Sequence, residues 1–254
     1  MPAKKRNGGA TSLSGIGSMS NKKLKRKKPI NTDAMVDIKP LTKNQEKFFE
    51  SYDKGKNIFA YGAAGTGKTF IALYLALKEV LNEMTPYDKV YVVRSLVSTR
   101  EIGFLPGDHE DKSSLYQIPY KNMVKYMFEM GDDTEFDMLY GALKGQGTIG
   151  FWSTSFIRGT TMDNCILIVD EMQNLNFHEL DSIITRVGQD SKIVFCGDQA
   201  QTDLVKTNER TGILDFQKII QVMSEFSLVE FTIEDIVRSG LVKSYLISKI
   251  NLGL

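Results

Sequence analysis

The sequence predicts an α/β fold, a doubly wound and mostly parallel sheet that presents a nucleotide site at the carboxyl ends of its strands. Three observations predict it. Gly62-Ala63-Ala64-Gly65-Thr66-Gly67-Lys68-Thr69 fits G-x-x-x-x-G-K-[ST] at every fixed position. Cys165-Ile166-Leu167-Ile168-Val169-Asp170-Glu171 is an apolar run without a polar face that ends in two acids, as a strand buried on both sides does. Strand-like and helical segments alternate from residue 39 onward, the order that crossovers between parallel strands require.

Taken in order, residues 1–38 read as a disordered basic tail. Residues 1–30 carry nine Lys or Arg and no acid, which leaves −8 on the rest of a chain whose net charge is +1. Large apolar residues are too few there to offset the ordering entropy. The cluster of residues 22–28 suits either phosphate contacts with nucleic acid or simple solubility. An acidic remainder argues against a nucleic-acid footprint over the whole domain. The amino terminus lacks the apolar run of a secretory signal, and no segment approaches the roughly 20 apolar residues of a membrane span. A cytoplasmic protein is therefore expected.

From residue 39 to 254 the chain reads as one domain. Thr42 caps a helix that carries Gln45, whose amide can pair with both the donor and the acceptor on adenine's edge. Residues 56–61 form a strand and residues 70–81 a helix, the strand–loop–helix setting that a phosphate cradle needs. Gly62, Gly65 and Gly67 free the backbone so that N–H groups of Ala63, Ala64, Thr66 and their neighbours can converge on phosphate oxygens at the helix's positive end. Lys68 neutralises the β and γ phosphates in this reading, and Thr69 ligates Mg²⁺. A chance match to the four fixed positions is about 1 in 100 at average residue usage, so a nucleotide loop is preferred to an ordinary Gly-rich turn.

Residues 88–94 form a second strand. The stretch from about 100 to 158 is too long for one crossover and reads as an insertion. It holds a turn at 103–108, a helix over 119–130 with Tyr120, Met123, Val124, Met127 and Phe128 on one face, a loop at 145–150, and a strand-like stretch with Phe151, Trp152 and Phe156. Those aromatics suit core packing better than base stacking. Asp170 then holds the metal indirectly, through a group bound to it, and Glu171 orients or deprotonates the attacking water. Residues 191–196 form a fourth strand, which leads to a turn where Asp198 or Gln201 senses the γ phosphate. Residues 227–231 form a fifth, and Thr232 with Glu234 and Asp235 signals a helix start. Cys165 and Cys196 read as small buried residues, and two histidines, His109 and His178, make no metal cluster.

Together these motifs resemble a known family. Thr42-x-x-Gln45, residues 62–69, Gly103-Phe104-Leu105-Pro106-Gly107-Asp108, Phe156-x-Arg158-Gly159, Asp170-Glu171-Met172-Gln173-Asn174, Gly197-Asp198-x-x-Gln201-x-Asp203-Leu204 and Glu234-Asp235-x-Val237-Arg238 look like the PhoH-like proteins over residues 40–245. The resemblance implies a P-loop NTPase core similar to RecA and superfamily-1 helicases, ATP hydrolysis with Mg²⁺, association with RNA or single-stranded DNA, and a hexameric ring. It gives Lys68, Thr69, Asp170, Glu171, Gln201 and Arg238 roles at the nucleotide. The sequence departs from the pattern at Ser95, where proline is usual, and at Thr160, where a second arginine is. Size and the basic tail fit a phage-encoded member.

One phosphate loop, one acidic strand and little chain beyond the last strand leave no room for a second lobe. A completing arginine is worth about 10³-fold or more in rate, so a neighbouring subunit is expected to supply it. Arg158 and Arg238 lead, with Arg94 and Arg186 behind them. Two functions follow: an ATP-driven motor on RNA or single-stranded DNA, or an ATP-dependent switch that controls protein partners.

Overall fold

The computed structural model describes residues 30, 32–95, 109–157, 159–198 and 207–252, and only the backbone of 109–115, 155, 156 and 207–211. Arg158, Gln201 and the 103–108 string lie outside the described residues.

Among the described residues six strands form one sheet: β1 (Asn57–Gly62), β2 (Lys89–Arg94), β3 (Ile149–Ser153), β4 (Cys165–Val169), β5 (Lys192–Cys196) and β6 (Phe226–Phe231). Their order is β3-β2-β4-β5-β1-β6 and every pairing is parallel. The fold is thus the doubly wound α/β sheet that the alternation of elements implies. β5 lies between the phosphate-loop strand and the acidic strand, so the turn after β5 comes beside both.

Every residue of β4 and β5 is buried, which is why these runs show no polar face. Alternate residues feed two cores. Ile58, Ala60, Ile166, Ile168 and Val194 join the side packed by α1 (Lys43–Asp53), α2 (Lys68–Leu81), α3 (His109–Phe128) and α4 (Asp133–Gly145). Phe59, Leu167, Val169, Ile193 and Phe195 join the side packed by α6 (Phe177–Ile184) and α7 (Thr207–Gln221). Cys165 and Cys196 are free and buried. Each large apolar side chain so buried contributes about 1.5–3 kcal/mol.

Several expectations shift. The inner end of the expected tail is ordered: Ile30, Met35 and Ile38 pack on the first core, and the Val36 N–H donates to the Met127 carbonyl at 2.8 Å. The insertion contributes α3, α4 and β3, and β3 extends the main sheet beside β2. α3 begins at His109, ten residues before the predicted start at Pro119; the helix tolerates Pro119 internally at the loss of one backbone bond. β3 ends at Ser153 and a one-turn helix, α5 (Thr154–Ile157), follows, so Phe156 is not on a strand. After β6, Thr232 and Asp235 close a capping box on one 3-10 turn only. The Val237 N–H then donates to the Gly65 carbonyl at 3.1 Å, and this tertiary bond draws the chain out of the helix until α8 (Gly240–Asn251).

Candidate nucleotide site

The phosphate loop joins β1 to α2. Gly62, Gly65 and Gly67 have φ of +116°, +74° and +85°, values that side chains with a Cβ rarely adopt. Lys68 is buried on the first turn of α2. Its Nζ donates to the carbonyls of Gly62 at 3.1 Å and Ala63 at 2.7 Å, and to Thr66 Oγ1 at 3.3 Å. Burial lowers its pKa, while the charges of Asp198, Glu171 and Asp170 pull it back up. The Thr66 hydroxyl donates to the Ala63 carbonyl at 3.1 Å and helps hold the loop curled. Ala64 is half-buried on it.

Thr69 Oγ1 donates to Asp170 Oδ1 at 2.6 Å across 101 residues of sequence. Asp170 follows β4 directly, and its N–H donates to the Val93 carbonyl of β2 at 2.9 Å. A hydroxyl and a carboxylate so close make a hard oxygen pair that suits Mg²⁺. Asp170 Oδ2 accepts from the Tyr120 hydroxyl of α3 at 2.5 Å. The Arg94 guanidinium, at the end of β2, lies over the Tyr116 ring at 6.0 Å, and its charge opposes the rise that burial and Asp170 cause in the Tyr120 pKa.

Glu171 takes a left-handed backbone, φ 52° and ψ 44°. A non-glycine residue held there costs about 1–3 kcal/mol and persists only where its surroundings fix it. Gln173 supplies part of that fixing. Its amide nitrogen donates to the Glu171 carboxylate and its oxygen accepts from the Asp198 N–H at 3.0 Å, which ties the acidic turn to the end of β5. Burial and the charge of Asp170 push the Glu171 pKa up, and Arg94 and the Gln173 bond restrain it. A cleft of about 440 Å³ adjoins the loop on the α7 and β6 side, bordered by Gly62, Ala63, Gln173, Asp198, Ile213 and Phe231.

Gln45 reaches the loop itself. Its Nε2 donates to the Thr66 carbonyl at 2.9 Å and its Oε1 accepts from the Leu41 N–H at 2.7 Å, so both ends of the amide are engaged. Reading a base would require exchanging those bonds. Arg238 lies against its own chain's loop, since a Cβ on Gly65 would meet Arg238 Cγ at 3.0 Å. Arg186 is elsewhere: its carbonyl accepts from Met162, near the start of β4 and at the far end of the strand from Asp170. The structure therefore brings together Gln45, residues 62–69, Asp170, Glu171, Asp198, Arg94 and Arg238.

Two polar partners were not legible as such. Tyr120 fits the apolar spacing of its helix, and nothing in the sequence separates its hydroxyl from a packed ring. Gln173 stands in the Asp170–Asn174 motif that carries the family resemblance, the one sequence signal for it, but that motif alone gives its amide no role.

Among the described residues no helix is long and apolar enough to cross a membrane. The chain is 33% identical over 199 residues to protein PhoH2 of Bacillus subtilis (strain 168), covering 77% of this chain and 44% of that protein. It is 30% identical over 206 residues to a PhoH-like protein of Mycobacterium tuberculosis (strain ATCC 25618 / H37Rv), covering 81% and 56%. Protein PhoH of Escherichia coli (strain K12) is 29% identical over 210 residues, covering 81% and 57%. The chain thus spans about half the length of these relatives. A profile of the PhoH-like protein family matches residues 37–248, and the chain belongs to that family.

Proposed function

We propose that this chain binds and hydrolyses ATP with Mg²⁺, and that hydrolysis drives binding or remodelling of RNA or single-stranded DNA in an oligomeric ring in the cytoplasm. The observation that carries the ATPase reading is the meeting of the first turn of α2, with Lys68 and Thr69, and the acidic turn after β4, where Thr69 Oγ1 donates to Asp170 Oδ1 at 2.6 Å. Loop N–H groups and the amino end of α2 cradle the phosphates. Lys68 exchanges its loop carbonyls for β and γ oxygens. Thr69 and Asp170 would hold a magnesium ion, which would supply charge neutralisation for the transferring phosphoryl group. Glu171 orients the attacking water and accepts its proton, and the turn at Asp198 and Gln201 reports the γ phosphate. Gln45 fixes the loop from the adenine side.

The same reading assigns the completing arginine to a neighbouring subunit, with Arg158 the leading candidate. Arg238 already lies against its own loop and fits an in-chain contact. Mixing Arg158→Ala subunits with Glu171→Gln subunits tests the sharing. Partial recovery of hydrolysis supports it, and mixtures that remain inactive at every ratio remove its support.

The acidic balance outside residues 1–30 favours a second reading, an ATP-dependent switch for protein partners. Steady-state hydrolysis with and without single-stranded RNA and DNA, at two salt concentrations, separates the two. Stimulation that falls steeply with salt supports the motor. Hydrolysis indifferent to both polymers supports the switch.

A further inference from the structure

We infer that Tyr120 is a positioning residue for the metal-binding carboxylate, and that through it the insertion between β2 and β4 governs how tightly the site holds its divalent cation. This rests on the ATPase reading above. Tyr120 is 2% exposed, with its ring packed on Phe151 of β3 at 5.4 Å. Phenylalanine would fill the same space, so packing alone does not account for the hydroxyl. A hydroxyl buried without a partner costs about 1–3 kcal/mol, and this one is aimed at Asp170 Oδ2 at 2.5 Å.

The opposite oxygen of the same carboxylate accepts from Thr69. Asp170 is thus gripped from two elements, α2 through Oδ1 and α3 through Oδ2. Thr69 and Oδ1 form the pair suited to the cation. Tyr120 engages the other oxygen, so it fixes the plane of the carboxylate without competing for that pair. The phenol has a single proton, and the bond to Asp170 Oδ2 commits it there. Tyr116, one helical turn before Tyr120, lies under the Arg94 guanidinium at 6.0 Å, so the end of β2 packs on the same stretch of α3. Groups that orient a metal ligand in this way typically change metal affinity 10–100-fold when removed.

The test is binding of a fluorescent N-methylanthraniloyl-ATP to wild type and Tyr120→Phe, titrated with Mg²⁺, repeated with Mn²⁺ followed by electron paramagnetic resonance, and run once in excess chelator. The inference predicts that Tyr120→Phe raises the half-saturating concentration of both cations roughly tenfold, with chelator-arm affinity and melting temperature near wild type. An unchanged cation requirement overturns it. Equal losses with and without cation, or a variant that does not fold, also overturn it, because the hydroxyl would then serve packing alone. If wild type binds no nucleotide in any arm, the ATPase reading fails instead.

Discussion

Replacing Gly62 with alanine probes how β6 shapes the phosphate loop. Gly62 ends β1 opposite Phe231 of β6, and the next N–H, Ala63, donates to the Phe231 carbonyl at 2.9 Å. A Cβ at position 62 falls 2.0 Å from that oxygen and 2.9 Å from Phe231 C and N. Relief to an ordinary contact needs a shift of more than about 1 Å in a paired strand, an overpacking cost of about 1–3 kcal/mol. The positive φ adds about 1–2 kcal/mol, and weakening the Ala63 bond adds about 1 kcal/mol. The sum is about 4 kcal/mol, or a melting temperature lower by about 10 °C for a domain of this size. Gly55→Ala is the internal control: Gly55 has φ +77° and nothing within 4 Å of its added Cβ. It carries strain alone, about 1–2 kcal/mol. Thermal unfolding of both variants decides the matter. Equal destabilisation would refute the claim that β6 dictates glycine at the mouth of the loop.

Three further outcomes follow from buried polar contacts. Lys192 is buried on β5, pairs with Glu79 of α2 at 3.0 Å and stands 3.7 Å from the Tyr52 ring centroid; urea denaturation should show Glu79→Ala costing about 3 kcal/mol, whereas the double variant Lys192→Met with Glu79→Leu, which removes both charges, should be near neutral. Asp235 joins α1 to the segment on the loop by accepting from Asn44 at 2.7 Å and from the Thr232 N–H at 2.8 Å. Burial pushes its pKa up, but bonds from Thr42, Thr232 and Asn44 outweigh this and hold it below the usual carboxylate range. Its stabilisation is therefore full above the unfolded pKa of about 3.9 and is lost as pH falls through the lower folded value. Asp235→Asn should thus be destabilised by about 1–3 kcal/mol at pH 7, and unfolding curves should show that gap closing only below about pH 4. Gln173→Ala removes the tie between Glu171 and Asp198; its kcat should fall about tenfold or more with little change in nucleotide affinity, as read by steady-state hydrolysis beside equilibrium binding.

The fold was legible where burial leaves a uniform signature. The apolar runs of β4 and β5 are buried at every position, so their sequence shows strand and centrality together. The loop was legible because its glycines answer to backbone geometry, and Thr42 announced α1 because its side chain accepts from Gln45 N. α4 carries an equally local signal, since the Asp132 side chain accepts from the N–H groups of Thr134 and Glu135. What the sequence could not show depends on distant partners. Tyr120 reads as one more apolar-face residue until α3 is folded over Asp170, 50 positions away. Thr232 and Asp235 carry a proper helix-start pattern, yet the chain leaves the helix because the Val237 N–H finds the Gly65 carbonyl. The strand character of β3 was legible at Phe151 and Trp152, but its place beside β2 at the sheet edge was not, because that pairing joins residues about 60 positions apart.

The central claim is that Lys68 and Glu171 divide binding from hydrolysis at one site. Its most direct test is equilibrium binding of ATP with Mg²⁺ beside single-turnover phosphate release for wild type, Lys68→Ala and Glu171→Gln. The account predicts that Glu171→Gln binds ATP as wild type does and releases phosphate about 10²-fold more slowly or worse, while Lys68→Ala loses binding and hydrolysis together. Wild-type rates in Glu171→Gln, or undiminished binding in Lys68→Ala, would contradict it.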